Sequence, residues 1–288
     1  MTQRILLTGA RGFLGHHVQE RLLDARQDVI APQRPELDVT RELGDFGKID
    51  TVVHLAAQTF VPHSWQEPAL FYRVNAAGTV NVLDYCRRNG VSLVFVSAYC
   101  YGQPDTLPIV EEAPLRPSNP YAYSKICAED ACRFYTREFG VPVTVLRPFN
   151  IYGPGQDARF LIPSIVRQVL APDSPAIELP DTRPRRDYVH VADVARAVVA
   201  ATLKSHAGGH TYNVGSGRSH SVAEVARLVM DAAGVSRPIV DQGKVRENEI
   251  PDTIADISAI GRDLGWRPAI EFERGLGDLV VSLRAQAR

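Results

Sequence analysis

The sequence has little lysine, almost no net charge and no long apolar run. Only four of its 32 Lys and Arg residues are lysines, and the formal net charge is -1 over 288 residues. No extended basic run is present, so we do not expect a nucleic-acid-binding surface, and no block of like charge indicates a tail. No apolar stretch is long enough to cross a bilayer, so no membrane segment is expected.

The cysteines give no sign of a metal site or of a disulfide framework. Cys86, Cys100, Cys127 and Cys132 form no C-x-x-C pair and have no spacing typical of metal ligands. We therefore expect reduced, mostly buried thiols and no bound metal. Strand-like sequence begins almost at Met1, without a charged, apolar and cleavable leader, and this favours a cytoplasmic location.

The N-terminal residues have the pattern of a dinucleotide-binding unit. An apolar strand is predicted at residues 5–7, and apolar side chains with helical spacing follow from residue 13. Between them lie Gly9, Gly12 and Gly15, spaced as G-x-x-G-x-x-G rather than as the familiar G-x-G-x-x-G. Glycines at these places permit a tight turn, a close backbone approach to a pyrophosphate and close packing of the helix on the strand.

Apolar strand-like runs alternate with helical ones through the first half of the chain, and they read DVIAP, TVVHLAA, LVFVSA and VTVLRP. This alternation predicts an α/β fold, a Rossmann-type doubly wound parallel sheet. After residue 147, turn-rich and Pro-rich segments indicate a smaller lobe towards the C-terminus. We expect residues 1–147 and about 188–214 to form the dinucleotide-binding domain. Residues of about 148–187 and 215–288 would form the substrate-binding lobe.

A tyrosine and a lysine lie four residues apart in the segment PYAYSK. If a helix begins after Pro120, Tyr121 and Lys125 project from one face of it. A free phenol has a pKa of about 10, and a nearby cation favours its ionised form. With ten tyrosines and four lysines in the chain, this spacing also arises by chance. The pair therefore needs support from the rest of the sequence.

Nine segments in one order resemble the extended short-chain dehydrogenase/reductase family, the nucleotide-sugar epimerases, dehydratases and reductases. They cover nearly the whole chain and read TGARGFLG, VVHLAAQ, VNAAGTVNVLDYC, VSAYCYG, YAYSK, LRPFNIYGPGQ, RDYVHVADVA, YNVGSG and LGWRP. The resemblance implies that Tyr121 and Lys125 are the catalytic couple. Tyr121 would be the general acid or base, and Lys125 would also bind the nicotinamide ribose.

The resemblance also implies further catalytic and cofactor-binding residues. Ser97, at the end of LVFVS, matches the catalytic hydroxyl residue and lies where a ligand crevice is expected. The related dehydratases carry an acidic pair where this chain has Ala98 and Tyr99, so dehydration is not expected. The residues expected to contact the cofactor are Gly9, Gly12, Phe13, Leu14, Gly15, Leu55, Ala56, Ala57, Asn75, Tyr121 and Lys125.

In the smaller lobe, the resemblance implies a nucleotide-sugar site. Asn150 would contact the substrate diphosphate, and Arg186 and Arg246 would clamp it, because guanidinium groups bind phosphate oxygens in a bidentate manner. Glu249 stands where the family commonly has an aspartate. Ser64 would line the sugar pocket or, alternatively, cap a helix.

The choice between NAD and NADP depends on the residues after the second strand. An enzyme that uses NAD typically has an acidic residue there, which binds the ribose 2'-hydroxyl. This chain has Arg34 nearby, which suits a 2'-phosphate but is also consistent with a simple loop charge. Asp38 resembles an adenine-contacting residue of the 4-keto-6-deoxy-sugar reductases. We therefore expect NADP rather than NAD, with NAD kept open.

The leading hypothesis is an oxidoreductase of polysaccharide biosynthesis that reduces a GDP- or dTDP-linked 4-keto-6-deoxy sugar at C4. The alternative is an NAD-dependent C4 epimerase similar to UDP-glucose 4-epimerase, which uses the same residues. A third hypothesis is a non-catalytic dinucleotide-sensing protein on the same fold. Residues of about 69–88 and 121–139 match the helices that form the dimer in the family, so a homodimer is expected.

Overall fold

A computed structural model describes residues 2–33, 35–204, 209–246 and 249–286 of the chain. Its strands are short, and those near the N-terminus are built from the apolar runs that predicted them. In chain order they are β1 (Arg4–Thr8), β2 (Asp28–Ile30), β3 (Thr51–His54), β4 (Ser92–Val96), β5 (Val143–Pro148), β6 (Asn150–Tyr152), β7 (Ile177–Leu179), β8 (Arg185–His190), β9 (His210–Val214), β10 (Ser219–Ser221) and β11 (Ile239–Asp241).

The helices alternate with the strands of the first half and dominate the C-terminal part. A π-helical segment, Tyr72–Ala77, connects the third helix to the fourth. The α-helices are α1 (Phe13–Asp24), α2 (Val61–Gln66), α3 (Pro68–Phe71), α4 (Gly78–Asn89), α5 (Pro120–Phe139), α6 (Leu161–Leu170), α7 (Val191–Leu203), α8 (Val222–Ala233), α9 (Ser258–Leu264) and α10 (Phe272–Gln286).

Six parallel strands form the central sheet in the order β2-β1-β3-β4-β5-β9. The chain first moves outward from β1 to β2 and then continues on the other side of β1 with β3. This reversal makes the carboxyl edge between β1 and β3 the expected ligand crevice of an open α/β sheet. The predicted Rossmann-type doubly wound sheet is confirmed.

Helices cover both faces of the central sheet. On one face, α1, α7 and α9 contribute buried side chains such as Val18, Val198 and Ile260. On the other face, α4 and α5 contribute side chains such as Leu83 and Cys132. Burial of each large aliphatic side chain stabilises the fold by about 1.5–3 kcal/mol. These two cores therefore hold the loops at the carboxyl edge in fixed positions.

The smaller lobe is built on two minor sheets and three helices. One sheet has the order β10-β8-β6, and the other pairs β11 with β7. Helices α6, α8 and α10 enclose an apolar core against them. Helix α8 begins with a capping box, in which Ser221 and Glu224 satisfy each other's backbone N–H groups. The exact division of the chain into two interleaved domains stays a prediction.

Several absences hold for the described residues. No helix in these ranges combines the length and the apolar character needed to cross a membrane. Within the same ranges, no group of three or more His, Cys, Asp or Glu side chains could hold a metal ion. The four cysteines are free thiols, and all except Cys127 are buried.

Candidate active site

The glycine turn brings three backbone segments close together. Gly9 has a φ of 75°, and a Cβ added there would come within 2.6 Å of Ala56 N. Gly12 caps α1 in an extended conformation, and its N–H donates to Gly9 O at 3.0 Å. A Cβ at Gly15 would collide with the backbone of residues 9 and 10. Only glycine fits at Gly9 and Gly15, and the turn presents the N-terminus of α1 at the sheet edge.

The other predicted cofactor residues surround this turn. Phe13 and Leu14 begin α1, directly after the capping glycine. Residues 55–57 follow β3 and are partly buried at the carboxyl edge of the sheet. Leu55 continues the ladder beyond β3, since its N–H donates to Thr8 O at 3.2 Å. The structure therefore brings these predicted residues together around one crevice.

Asn75 is buried in the π-helical segment and is engaged with the protein itself. Its Oδ1 accepts from Gln58 N at 2.8 Å, and its Nδ2 donates to Gln58 O and to Ser124 Oγ, each at 3.0 Å. Asn75 thus holds the loop after β3 against helix α5. Its predicted contact with the cofactor stays a prediction.

The expectation of NADP rested on two residues, and one of them lies outside the described residues. That residue is Arg34. Asp38 forms a turn, since its Oδ1 accepts from Thr40 N at 3.0 Å and from Thr40 Oγ1 at 2.8 Å. Among residues 31–33 and 35–50 there is no helix or strand, so β2 is joined to β3 by a compact loop.

The Tyr-Lys pair lies on the first two turns of α5. Pro120 is the first helical residue, and the side chain of Asn119 caps the helix by accepting from Ala122 N at 2.8 Å. Proline at this position and asparagine at the cap both favour helix initiation here. The helix therefore begins where Tyr121 and Lys125 must share one face, as the spacing predicted.

Lys125 is almost fully buried, with 3% of its surface exposed. Its Nζ donates to Val96 O at 2.7 Å and lies 4.4 Å from the centre of the Phe95 ring. Burial lowers the pKa of Lys125 to about 8, although Cys100 and the carboxylate of Glu129 act in the opposite direction. The ammonium group is thus fixed at the carboxyl end of β4.

Tyr121 lies one helical turn before Lys125, and Ser97 follows the residue whose carbonyl accepts from Lys125. Burial raises the pKa of the Tyr121 phenol, so the side chain keeps its proton at neutral pH. This direction is opposite to the one that a nearby cation alone would produce. Ser97 directly follows Val96, and its buried Oγ has no nitrogen or oxygen partner within the described part of the chain. Burial raises the pKa of the Cys100 thiol, whereas a hydrogen bond with Ser97 lowers it. A phenol that can donate a proton and a hydroxyl with no nitrogen or oxygen partner among the described residues therefore share one edge of the sheet.

The smaller lobe brings two of the predicted substrate residues into direct contact. Arg186 Nη2 donates to the Glu249 carboxylate, and Arg186 Nη1 donates to Arg185 O at 2.7 Å and to Ile250 O at 2.6 Å. Arg246 is exposed, and its carbonyl accepts from Glu249 N at 3.2 Å. Arg186 is therefore held in place by residues more than sixty positions away.

Asn150 and Ser64 complete the predicted substrate set. Asn150 is exposed at the start of β6 and pairs in register with Tyr188 of β8, two residues from Arg186. Ser64 is buried within α2, and its Oγ donates to Val61 O at 2.7 Å. The helix-cap alternative for Ser64 is wrong, because α2 begins three residues earlier. Its contact with a sugar stays a prediction.

A buried ion pair below the catalytic face was not anticipated from the sequence. Arg147, at the end of β5, donates from Nη2 to Glu129 at 2.6 Å, and both side chains are buried. Arg147 Nη1 also donates to Tyr101 Oη at 2.9 Å. The sequence offered one signal for this ion pair: Glu129 lies one turn after Lys125, on the apolar face of α5. This pair fixes α5 against the sheet.

Comparisons with known proteins agree with this geometry. Residues 5–215 match the NAD dependent epimerase/dehydratase family. The chain is 34% identical to the GDP-6-deoxy-D-mannose reductase of Pseudomonas aeruginosa, over 100% of this chain and 99% of that protein. It is 32% identical to a UDP-glucose 4-epimerase of Azospirillum brasilense, over 92% of this chain and 87% of that protein. The structure of RMD from P. aeruginosa complexed with NADPH aligns with a TM-score of 0.90 at 33% identity, covering 99% of this chain and 100% of that one.

Proposed function

Because the chain belongs to the NAD-dependent epimerase/dehydratase family, we propose that it reduces the C4 keto group of a nucleotide-linked 4-keto-6-deoxy sugar with NADPH. The observation that carries the choice of a reductase is the likeness to a GDP-6-deoxy-D-mannose reductase over the full length of both chains. A related structure of nearly identical fold is complexed with NADPH. GDP is therefore the first nucleotide to test, and dTDP is the second.

The residues at the sheet edge fit a dinucleotide. The Cβ positions of Gly9 and Gly15 are filled by neighbouring backbone, so glycine at both sites lets the turn pack closely and brings it to the N-terminus of α1, where a pyrophosphate would bind. The N-terminus of α1 points its free N–H groups into the same crevice. When bound there, the nicotinamide supplies a hydride to the substrate.

The catalytic residues would act on the oxygen at C4 of the sugar. Tyr121 keeps its proton because burial raises its pKa, so it can protonate the alkoxide that develops there. Ser97, whose hydroxyl has no nitrogen or oxygen partner among the described residues, would orient the same oxygen by a hydrogen bond. Lys125, fixed by Val96 O, would hold the nicotinamide ribose and supply positive charge near the phenol.

The substrate nucleotide would bind across the smaller lobe. Arg186 and Arg246 would bind the diphosphate, Asn150 would contact it from β6, and Glu249 would contact the ribose or the base. Support comes from the contact between Arg186 and Glu249, which places a cation and an acceptor side by side. Ser64 would lie near the sugar itself.

A C4 epimerase is the second candidate, and the identity with the UDP-glucose 4-epimerase of A. brasilense favours it. An epimerase would use Tyr121, Lys125 and Ser97 in both directions of a single turnover. A dinucleotide-sensing protein would not need Tyr121 and Lys125 on one helical face, and both are present.

The dinucleotide that accompanies the purified protein distinguishes the two reactions. An epimerase must retain the hydride through its cycle, so it should carry tightly held NAD and need none added. A reductase consumes NADPH in every turnover, so it should be purified largely empty and oxidise NADPH only when a 4-keto-sugar nucleotide is supplied. Retained NAD, with interconversion of two 4-hydroxy sugars, would contradict the reductase.

The role of Arg34 is tested separately. The variant Arg34→Ala should bind NADPH more weakly while its affinity for NADH is unchanged, because only NADPH has the 2'-phosphate. Equal NADPH affinity in the variant and the wild type would refute this basis for the cofactor choice, even in a proven reductase.

A homodimer formed by α4 and α5 is part of the proposal. The π-helical segment and these two helices expose apolar side chains, among them Tyr72, Val80, Tyr123 and Phe134. The Tyr72 and Tyr123 rings are in edge contact at 6.2 Å, so they form part of a continuous apolar surface. A monomer in sedimentation at micromolar concentration would contradict this assembly.

A cytoplasmic location is proposed as well. The free thiols described above are consistent with a reducing compartment. Fractionation of cells that express the chain, with a cytoplasmic dehydrogenase as a marker, tests the location directly.

A further inference from the structure

A buried histidine outside the catalytic set lies at the end of β3, directly below the glycine turn. His54 is 1% exposed. Its Nδ1 is 2.7 Å from Thr8 Oγ1, and its Nε2 is 3.1 Å from Thr79 Oγ1. Thr8 is the last residue of β1, and Thr79 lies in the first turn of α4. One imidazole ring therefore links two strands of the central sheet to a helix.

The surroundings of Thr79 determine which ring nitrogen carries the hydrogen. Thr79 Oγ1 is 2.6 Å from Asn75 O, a carbonyl that can only accept, so the single hydroxyl hydrogen is used there. Towards His54, the same oxygen can only accept, and this requires a hydrogen on Nε2. Burial lowers the pKa of His54 to about 3, and the charge of Lys125 acts in the same direction. The ring is therefore neutral, with Nδ1 as an acceptor.

The direction of the remaining hydrogen bonds follows from this tautomer. Thr8 Oγ1 must donate to His54 Nδ1, and its lone pairs accept from Ala56 N at 3.2 Å. All four bonds then point one way: from Ala56 N to Thr8, from Thr8 to His54, from His54 to Thr79, and from Thr79 to Asn75 O. Hydrogen bonds in such a chain polarise and strengthen one another.

The two ends of this chain of hydrogen bonds lie against the two parts of the candidate active site, the glycine turn and helix α5. Ala56 N is the atom that a Cβ at Gly9 would meet, so one end lies against the glycine turn. At the other end, the side chain of Asn75 donates to Ser124 Oγ at 3.0 Å, and Ser124 Oγ donates to Tyr121 O at 2.7 Å. The hydrogen bonds thus connect Ala56, which packs against the glycine turn, to Asn75, and the side chain of Asn75 continues through Ser124 to the main-chain carbonyl of Tyr121.

A charged ring at this place would oppose the catalytic lysine. The His54 ring stacks on Phe95 with centres 5.7 Å apart, and Lys125 Nζ lies 4.4 Å from the centre of the same Phe95 ring. An imidazolium would therefore face the ammonium group within the core of the protein. A neutral imidazole supplies one donor and one acceptor there without that repulsion.

We propose that His54, as the neutral Nε2–H tautomer, is a positioning residue that couples the glycine turn to the catalytic helix. This chain of hydrogen bonds would fix the position of the loop after β3 relative to the first turn of α5. This inference rests on the proposed function only where it treats Tyr121 as the proton donor. The tautomer and its effect on NADPH binding are independent of the sugar.

The tautomer can be observed directly by NMR of the full chain labelled with 15N-histidine. The signals of His54 are those that disappear in His54→Gln. We expect a protonated Nε2 and an unprotonated Nδ1, with no titration around pH 6.5, where an unperturbed histidine titrates. A protonated Nδ1, or an imidazolium in that range, would overturn the proposal.

The coupling is tested by the pair Thr79→Val and Thr79→Ser. Valine keeps the volume of threonine but removes the hydroxyl, whereas serine keeps the hydroxyl. For Thr79→Val, at a temperature where it is fully folded, we expect kcat to fall about tenfold, the equivalent of about 1.4 kcal/mol. We also expect weaker NADPH binding and a population of the Nδ1–H form of His54. Thr79→Ser should restore all three properties to within about twofold of the wild type.

The outcomes separate this proposal from the proposed function. A folded Thr79→Val that keeps wild-type kcat, NADPH affinity and His54 tautomer would overturn the coupling. If the wild type fails to turn over every 4-keto-sugar nucleotide, the proposed function fails, while NADPH affinity and the ring signals still decide the role of His54. If Thr79→Val does not fold, the tautomer of His54 in the wild type decides the proposed role of His54.

Discussion

Helix α5, the proposed catalytic helix, and the arginine site of the smaller lobe hold their charges in different ways. Lys125 is 3% exposed, and a main-chain carbonyl holds its ammonium group. Arg186 and Glu249 each expose 17% of their side chains, and they bind each other. Among the described residues, the helix therefore has a fixed charge with no carboxylate in direct contact, whereas the lobe has a pair of opposite charges that is partly exposed.

If both groups act as proposed, one part of the site is formed before substrate binds and the other part must rearrange when it binds. Backbone groups and short hydrogen bonds position Lys125 and Tyr121 before any ligand arrives. A diphosphate bound by Arg186, as proposed, would have to compete with the Glu249 carboxylate for the guanidinium group. We therefore expect changes on α5 to alter the chemical step and changes in the lobe to alter binding.

The largest effect is expected for Tyr121→Phe, which removes only the phenolic hydroxyl. General acid catalysis typically contributes about 10²- to 10⁴-fold, so kcat should fall by that amount while the Kd for NADPH is unchanged. Tyr123→Phe is the matched control, because Tyr123 lies two residues away on the exposed side of α5. Near-normal turnover by Tyr121→Phe would contradict the assigned proton donor.

A second prediction concerns the pH dependence of stability. Because burial lowers the pKa of Lys125 from 10.5 to about 8, the unfolded chain binds one more proton than the folded chain between these values. The contribution of Lys125 to stability should therefore rise with pH through that window, by about 3 kcal/mol in total. Below pH 8, both states are protonated and this contribution is constant.

Denaturant unfolding of the wild type and Lys125→Met at a series of pH values measures this effect. Their difference in unfolding free energy should shift in favour of the wild type above pH 8, whereas the other titrating groups cancel between the two proteins. A difference that is independent of pH would show that the ammonium group is not destabilised by burial. Lys125→Met should also lower turnover and weaken cofactor binding.

The third effect lies in the smaller lobe. Charge-assisted hydrogen bonds are typically worth about 1.5–3 kcal/mol, so Arg186→Ala should weaken nucleotide-sugar binding by roughly ten- to a hundredfold and spare NADPH. Arg185→Ala is the matched control: its side chain pairs with Glu224, and its carbonyl is unchanged. Calorimetry that finds unchanged affinity for GDP, dTDP and UDP would exclude Arg186 from the site.

The cofactor half of the molecule was predicted from local patterns, although the Tyr-x-x-x-Lys pair also needed support from the rest of the sequence. The apolar strand, the glycine spacing and the Tyr-x-x-x-Lys pair each depend on residues within one turn or one strand, where sequence spacing determines geometry. The family resemblance added the order of these units along the chain, and the comparisons confirmed the family.

The contacts that span distant segments were not predictable from spacing. The partner of Arg186 lies 63 residues away, and Arg147 and Glu129 meet because β5 and α5 pack together. The sequence left open that Ser64 caps a helix. In the structure, residues 61–71 form two short helices separated at Glu67, and Ser64 lies inside the first of them. The tautomer of His54 depends on hydroxyl groups from two other elements, so it required the three-dimensional structure.

The smallest effect is expected for Arg246→Ala. This variant allows the two arginines of the smaller lobe to be compared with each other. Arg246 is exposed, whereas the guanidinium of Arg186 is already held by two carbonyls and a carboxylate. Ordering a free arginine side chain costs up to about 2 kcal/mol, which offsets most of what its bonds to phosphate contribute. We therefore expect Arg246→Ala to weaken nucleotide-sugar binding only about threefold to tenfold, clearly less than Arg186→Ala, with NADPH binding unchanged. A loss for Arg246→Ala as large as that for Arg186→Ala would show that the exposed arginine is equally well positioned before binding, and that the lobe is as preformed as the catalytic helix.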